Sequence, residues 1–528
     1  MTTHSSTSPL NTAVLFLVFN RPDVTAQVFA AIRQAKPPRL YLAADGPREG
    51  RPDEAERVAK VREIATSVDW LCDVKTLFRE KNLGCKYAVS SAITWFFEQE
   101  EKGIILEDDC LPHSDFFRYC EFCLAEFKEN SQIWHINGNN FAADRTFYGE
   151  NDIAFVGLAQ PWGWATWADR WRKSQKNVFY LAKNSEQNIG KWNLSPIARF
   201  LKRSHIDSLI SGLDTWDYQW QISILNASGF AVSPASNLIS NLGDGVDATH
   251  TRFDTKRTHL PLAPLLHFDY PEVGINANLN GWYEKKMGLR GWNVLLKILG
   301  RRIWSLSGIT LKCILRRLMQ KAIFRGVQPI VIASTGRSGS TLLTDAVTES
   351  YISARFNFLP SFARIYVRRL SMDYLHRISD IDEMNAPILK THGLFQEAYS
   401  QKAKYIFIFG DPLESACSVA LMSDKYGTIW IEEHIFNLAG EGSPLDIFQK
   451  DILNYEAQLK SWCEGQVVFV VHFDDLWTKN EELNKFLGFY LHLPERSARA
   501  EKPLPIRYNK MLFDDLKQLE LEVRTKVK

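Results

Sequence analysis

The chain has 528 residues, 45% of them apolar and 23% charged, which excludes a disordered chain, a fibre or a small disulfide scaffold and fits a soluble globular protein. At about 150 residues per domain, two to four domains are expected. Lys and Arg number 63 against 61 acids, a net charge of +2, so overall charge offers no basis for a nucleic-acid partner.

The first residues, MTTHSSTSPLNTA, lack the basic start and apolar stretch of a secretory signal. No apolar run reaches the roughly 18–20 residues of a spanning helix, and the eight cysteines are scattered, so a cytoplasmic address with reduced thiols is expected. Short apolar runs then alternate with helical stretches. AVLFLVF (13–19) precedes a helix from Asp23, RLYLAA (39–44) a charged helix, DVKTLF (73–78) an amphipathic stretch from Lys86 to Glu100, and GIILE (103–107) another helix. This alternation predicts βαβ units and a parallel sheet, an α/β fold. Cys120 and Cys123 lie in FFRYCEFCLAEF, an apolar helix face with no second Cys or His pair nearby, so a core position is expected rather than zinc. Residues 138–283, rich in Trp, Gly and Asn, suit loops that shape a cleft.

Between Glu284 and Arg325 stand eleven Lys and Arg residues against that single acid, interleaved with Trp292, Leu295, Leu296, Ile298, Leu299, Ile303 and Trp304. A solvated basic connector is the simpler reading. The alternative is a basic amphipathic helix lying on an anionic membrane at the inner face. A second α/β pattern runs from PIVIAS (329–334) to the end. The expected division is residues 1–283, a connector 284–325, and 326–528.

In open α/β sheets, ligands bind beyond the carboxyl ends of the strands. Glu107, Asp108 and Asp109 follow the fourth apolar run, and three adjoining acids repel one another unless a cation or hydrogen-bond donors compensate them. Their hard oxygens suit Mg²⁺ or Mn²⁺ carrying a diphosphate, although an acidic turn and helix cap before Pro112 would explain them too. Asn20-Arg21-Pro22 and Asp45-Gly46 fall at the same rim. Taken together, LVFNRPD, YLAADGPR, REKNLGCKYAVSSAITWFF and IILEDDCLPHSDFF resemble the GT-A glycosyltransferases, in particular the N-acetylglucosaminyltransferase I group and bacterial relatives, over about residues 12–280. The resemblance implies that Arg21 and Asp45 hold the nucleotide of a UDP-linked sugar. It makes Asp109 the direct ligand of Mn²⁺ or Mg²⁺, with Glu107 and Asp108 supporting the sugar nucleotide. PWGWATW (161–167) and TWDYQW (215–220) become acceptor-side segments, with Asp217 as base, Asp214 as its competitor, and Trp216 and Trp220 stacking around the cleft. His250 would approach the metal or phosphates as a late histidine does in relatives; a loop histidine bonded to backbone is the alternative.

IVIASTGRSGSTLL (330–343) takes an apolar strand into a Gly/Ser loop and a helix, whose N–H groups and dipole attract an anion. The G-x-x-x-x-G-K-[ST] spacing and its lysine are missing, which disfavours a nucleoside triphosphatase or kinase. The pattern resembles the 5′-phosphosulfate loop of sulfotransferases. ILKTHG (388–393), FIFGDPLESACSVAL (407–421) and VHFDDLW (471–477) match further segments of that family in order, over about residues 327–500. The resemblance implies that Arg337, Ser338, Gly339, Ser340 and Thr341 hold the 5′-phosphosulfate of PAPS (3′-phosphoadenosine 5′-phosphosulfate). His392 is then the base, Lys390 stabilises the transferring sulfonate, and Ser418 binds the 3′-phosphate. Two positions depart from the pattern. Gly410 stands where the family carries an Arg for the 3′-phosphate, leaving Arg364, Arg368 or Arg369 to substitute, and Glu349 competes with His392 as base. The expected protein is a bifunctional transferase that glycosylates a glycan or glycoconjugate acceptor and sulfates a glycan hydroxyl. The alternative is an active glycosyltransferase with an impaired sulfotransferase-like binding module.

Overall fold

The computed structural model describes residues 10–527 except 143, 175–176, 244–257, 266, 287–314, 377, 466, 497–504 and 506. Two compact units divide the chain, Met1–Lys297 and Ile298–Lys528. Both are α/β.

In the first unit β1 (Val14–Val18), β2 (Arg39–Ala44), β3 (Asp73–Phe78) and β4 (Lys102–Glu107) pair in parallel in the order β3-β2-β1-β4. The continuous apolar run of β1, buried at every residue, is what a strand covered on both faces requires. Helices Pro22–Ala35, Pro52–Thr66 and Gly84–Phe97 make the crossovers, the first two opening on a proline whose missing N–H has no bond to lose there. The chain continues through β5 (Cys110–Pro112), β6 (Ile133–Asn137), β7 (Ile153–Val156), β8 (Trp164–Trp167), β9 (Phe230–Pro234) and β10 (Ile239–Asn241). β8 pairs antiparallel to β4 and extends the sheet to β3-β2-β1-β4-β8-β6-β9-β7, while β5 and β10 form a two-stranded ribbon.

Residues 138–283 are therefore more regular than the sequence reading held. Besides four strands they carry helices Ala168–Lys173, Val178–Asn188, Pro196–Ile210 and Asp217–Asn226 and most of Ala277–Lys286. The near-helical spacing of Trp162, Trp164 and Trp167 conceals a strand, and Trp164 packs flat between His135 (4.8 Å) and Trp216 (5.4 Å). Cys120 and Cys123 are buried core residues of the helix Ser114–Glu126.

The second unit has five parallel strands, β11 (Ile330–Ser334), β12 (Met372–Tyr374), β13 (Ile388–Thr391), β14 (Lys404–Phe409) and β15 (Val468–His472), in the order β12-β13-β11-β14-β15. From β11 the chain crosses to the edge, returns beside β11 as β13, and then passes to its other flank as β14. The order reverses at the carboxyl end of β11, where such sheets hold ligands.

Both described ends of the 284–325 segment are built into a unit. Glu284 is buried and accepts the Ser195 N–H at 3.0 Å; Gln320 is buried and donates to Leu370 O at 3.0 Å. Residues 287–314 lie outside the described residues. No described helix is long and apolar enough to cross a membrane.

Candidate functional site

Arg21, Asp45 and the acidic triplet all stand at the carboxyl ends of β1, β2 and β4, as their sequence positions require. Asp108 accepts the Phe19 N–H at 3.2 Å and pairs with the Arg21 guanidinium, whose other nitrogen lies 3.0 Å from Asp109 Oδ2. Gly243 faces Asp109 so closely that a Cβ there would collide with the carboxylate. Asp45 is held by the N–H groups of Gly46 (2.9 Å) and Leu83 (3.0 Å), and burial raises its pKa. Arg21 balances only part of the charge. Burial, then repulsion from Asp109 and Asp108, pushes the Glu107 carboxyl up to about 8.

Two cavities meet at this cluster. One, of about 200 Å³, is lined by Asn20, Asp45, Arg79, Asn82 and Asp108 among others; the second, of about 320 Å³, by Asp109, Trp162, Thr215, Trp216, Asp217 and Tyr218 among others. Arg21, Cys85 and Glu107 border both. The structure separates the two competing aspartates. Asp214 accepts the N–H groups of Cys85 (3.0 Å) and Lys86 (2.8 Å), capping the helix Gly84–Phe97. Asp217 opens the helix Asp217–Asn226, accepts the Thr215 hydroxyl, and faces the second cavity with Asp109 and Glu107. Trp216 lines that cavity, but Trp220 corrects the expectation: it is a core residue whose indole N–H donates to His135 Nδ1 at 3.0 Å. His250 lies outside the described residues. Among the described residues no three His, Cys, Asp or Glu side chains converge to hold a metal unaided. Arg79, Asn82 and Cys85 were not singled out beforehand, although all three belong to the REKNLGC segment.

In the second unit the loop after β11 carries Gly336 (φ 63°), Arg337 (φ 54°) and Gly339 (φ 87°), all in the left-handed region. This turns the chain sharply into the helix Ser340–Phe356. Around the loop, Ser338 Oγ lies 2.7 Å from Thr335 Oγ1 and 3.4 Å from Ser415 Oγ, and Arg337 Nε donates to Ser418 Oγ at 3.4 Å. Lys390 Nζ donates to Thr341 Oγ1 at 2.8 Å, and burial, then the Arg337 charge, lowers its pKa. His392 is buried, with Nδ1 3.3 Å from Ser334 O; an N–H there leaves the lone pair on Nε2. Burial, then Lys390, hold its pKa at about 4. Gln458 donates to His392 O at 2.6 Å, and the buried His434 ring stands 5.3 Å from that of His392. Neither Gln458 nor His434 has a motif that marks it.

Glu349, the rival base, is half-exposed and paired with Arg368 at 2.6 Å. Arg364 donates to Asn357 at 3.5 Å. At Gly410 a Cβ would meet only ordinary contacts of 3.8 Å with Phe473 and Ser338, so the position has room for a side chain.

No protein-family model matches the chain, and no curated protein does. Among solved structures, the crystal structure of UDP-glucose pyrophosphorylase complexed with UDP-glucose is similar at 7% identity, covering 42% of this chain and 90% of that one, with a TM-score of 0.23. A score that low carries no functional argument.

Proposed function

We propose that the protein is a bifunctional transferase, with glycosyl transfer from a nucleotide sugar in the first unit and sulfonate transfer from PAPS in the second. The observation that carries the first half is the meeting of two cavities at one acidic cluster, with nucleotide-side groups (Asp45, Arg79) on one flank, Asp217 on the other and Arg21 between them. A donor held in the first cavity presents its sugar toward the second. There Asp217, oriented by the Thr215 hydroxyl, takes the proton of the attacking acceptor hydroxyl.

The carboxylate set fits a hard divalent cation. It is oxygen-only and carries more negative charge than Arg21 balances, and Mg²⁺ is commonly held by one or two carboxylates plus substrate phosphates. Asp109 would hold Mn²⁺ or Mg²⁺ with Glu107 nearby, and the ion would neutralise charge on the departing diphosphate. Arg21 pairs with both Asp108 and Asp109 and offers its guanidinium to the same phosphates.

In the second unit the left-handed loop and helix start suit a phosphosulfate, with Arg337 and Lys390 supplying positive charge to the transferring group. His392, neutral and with its Nδ1 turned to Ser334, takes the acceptor proton at Nε2 as the sulfur–oxygen bond to adenosine 3′,5′-bisphosphate breaks. A second reading, binding without transfer, is favoured by two observations: Gly410 offers no side chain to a 3′-phosphate, and Arg368 is engaged by Glu349.

Incubation with a panel of nucleotide sugars and PAPS, following UDP and adenosine 3′,5′-bisphosphate separately, tests both halves. Asp109→Ala should abolish the first signal alone and Arg337→Ala the second alone. Tight bisphosphate binding without turnover selects the second reading, and loss of both signals in either variant rejects two independent sites.

A further inference from the structure

The helix Ser361–Ser371 buries Val367 and Leu370 against the core of the second unit. Its outer face is apolar as well. Phe362, Ile365 and Tyr366, at i, i+3 and i+4, are 70%, 55% and 64% exposed, and Phe358 just ahead of the helix is 79% exposed. The helix holds no acid, while Arg364 and Arg369 stand among those rings, with Arg368 paired to Glu349.

A second helical stretch, 315–323, adjoins it. Arg316 donates to Met372 O at 2.8 Å and Gln320 to Leu370 O at 3.0 Å. Gln320 and Phe324 turn inward, leaving Leu315, Leu318, Met319 and Ile323 exposed. Arg317, Lys321 and Arg325 are exposed beside them, and residues 315–325 include no acid. Single exposed apolar side chains are ordinary, but a cluster on two adjoining helices marks an interaction surface.

Its chemistry selects the occupant. A second copy of the chain would set this basic face against itself, and like charges across an interface oppose binding. An anionic bilayer meets both components, since rings and alkyl chains enter the headgroup boundary while Lys and Arg face lipid phosphates. We propose that this two-helix face seats the second unit on an anionic lipid bilayer. The proposal extends the membrane alternative raised for 284–325 to the helix Ser361–Ser371, and it does not depend on either transfer reaction.

Flotation of the full-length chain with phosphatidylcholine vesicles, with and without phosphatidylglycerol, tests it. The wild type should float with the phosphatidylglycerol vesicles only and be released by salt. Replacing Phe362→Ser, Ile365→Ser and Tyr366→Ser together should lower partitioning by about tenfold or more, and Arg317→Glu with Lys321→Glu should do likewise. The proposal is overturned by a wild type that stays unbound, by equal flotation with both vesicles, or by flotation that both variants leave unchanged. It is also overturned by a wild-type dimer in light scattering that the serine variant converts to monomer, because the face is then a subunit contact.

Discussion

Asp214 and Asp217 stand three residues apart in one short segment, yet their surroundings differ. Asp214 spends both oxygens on the N–H groups of Cys85 and Lys86, donors at a helix start that would otherwise lack partners. Asp214→Ala should therefore lower stability by about 1–2 kcal/mol in urea unfolding. Asp217→Asn should leave stability near wild type and reduce kcat of sugar transfer by about 10²–10⁴-fold. The reverse pattern would exchange their roles. At Gly410 the surrounding contacts of 3.8 Å with Phe473 and Ser338 admit a Cβ, so the position can be tested with Gly410→Arg. If this position faces the 3′-phosphate, calorimetry should show adenosine 3′,5′-bisphosphate binding at least about tenfold tighter, the worth of one charged hydrogen-bonded contact. Unchanged affinity would place the 3′-phosphate elsewhere.

At the scale of elements, legibility followed the type of strand. β1, β2 and β4 are continuous buried runs of parallel sheet, and Asp45 and Asp109 could be placed at the rim from chain order alone. β8 could not, because WATW has no alternation and Trp164 packs against His135 and Trp216, partners far away in the chain. The same long-range dependence hid Gln458 and His434, which reach His392 from separate helices. The loop after β11 was legible because its glycines serve the turn itself. Gly339 has φ 87°, and a Cβ there would collide with the Phe473 ring. Gly339→Ala should therefore abolish bisphosphate binding and lower the stability of the second unit by about 1–3 kcal/mol, measured by calorimetry and urea unfolding. Retained binding would separate the loop from the proposed donor site.

Across the whole molecule, the buried neutral histidines link acid sensitivity to activity. In the first unit His135 is fully buried between Gln160 O (2.9 Å) and the Trp220 indole N–H (3.0 Å), and burial holds its pKa at about 3. In the second, burial holds His392 at about 4 and lowers His434 as well. All three pKa values lie below that of an unfolded histidine, about 6.5. Below pH 6.5 the unfolded chain thus binds protons that the folded chain refuses. The stabilising contribution is complete above that pH and is lost as pH falls from 6.5 toward 4. His392 contributes about 1.4 kcal/mol per pH unit in this window, and the lowered His434 acts in the same direction. Urea unfolding of the second unit should show stability falling more steeply below about pH 6.5 than above it, and a flat profile would contradict buried neutral rings. Burial holds His392 at about 4, so its own titration should lie below the acid limb of the proposed sulfonate transfer. Turnover of PAPS should fall together with the folded fraction of the second unit. An activity loss centred near pH 6.5, while the protein remains folded, would instead assign the proton transfer to a solvent-exposed histidine.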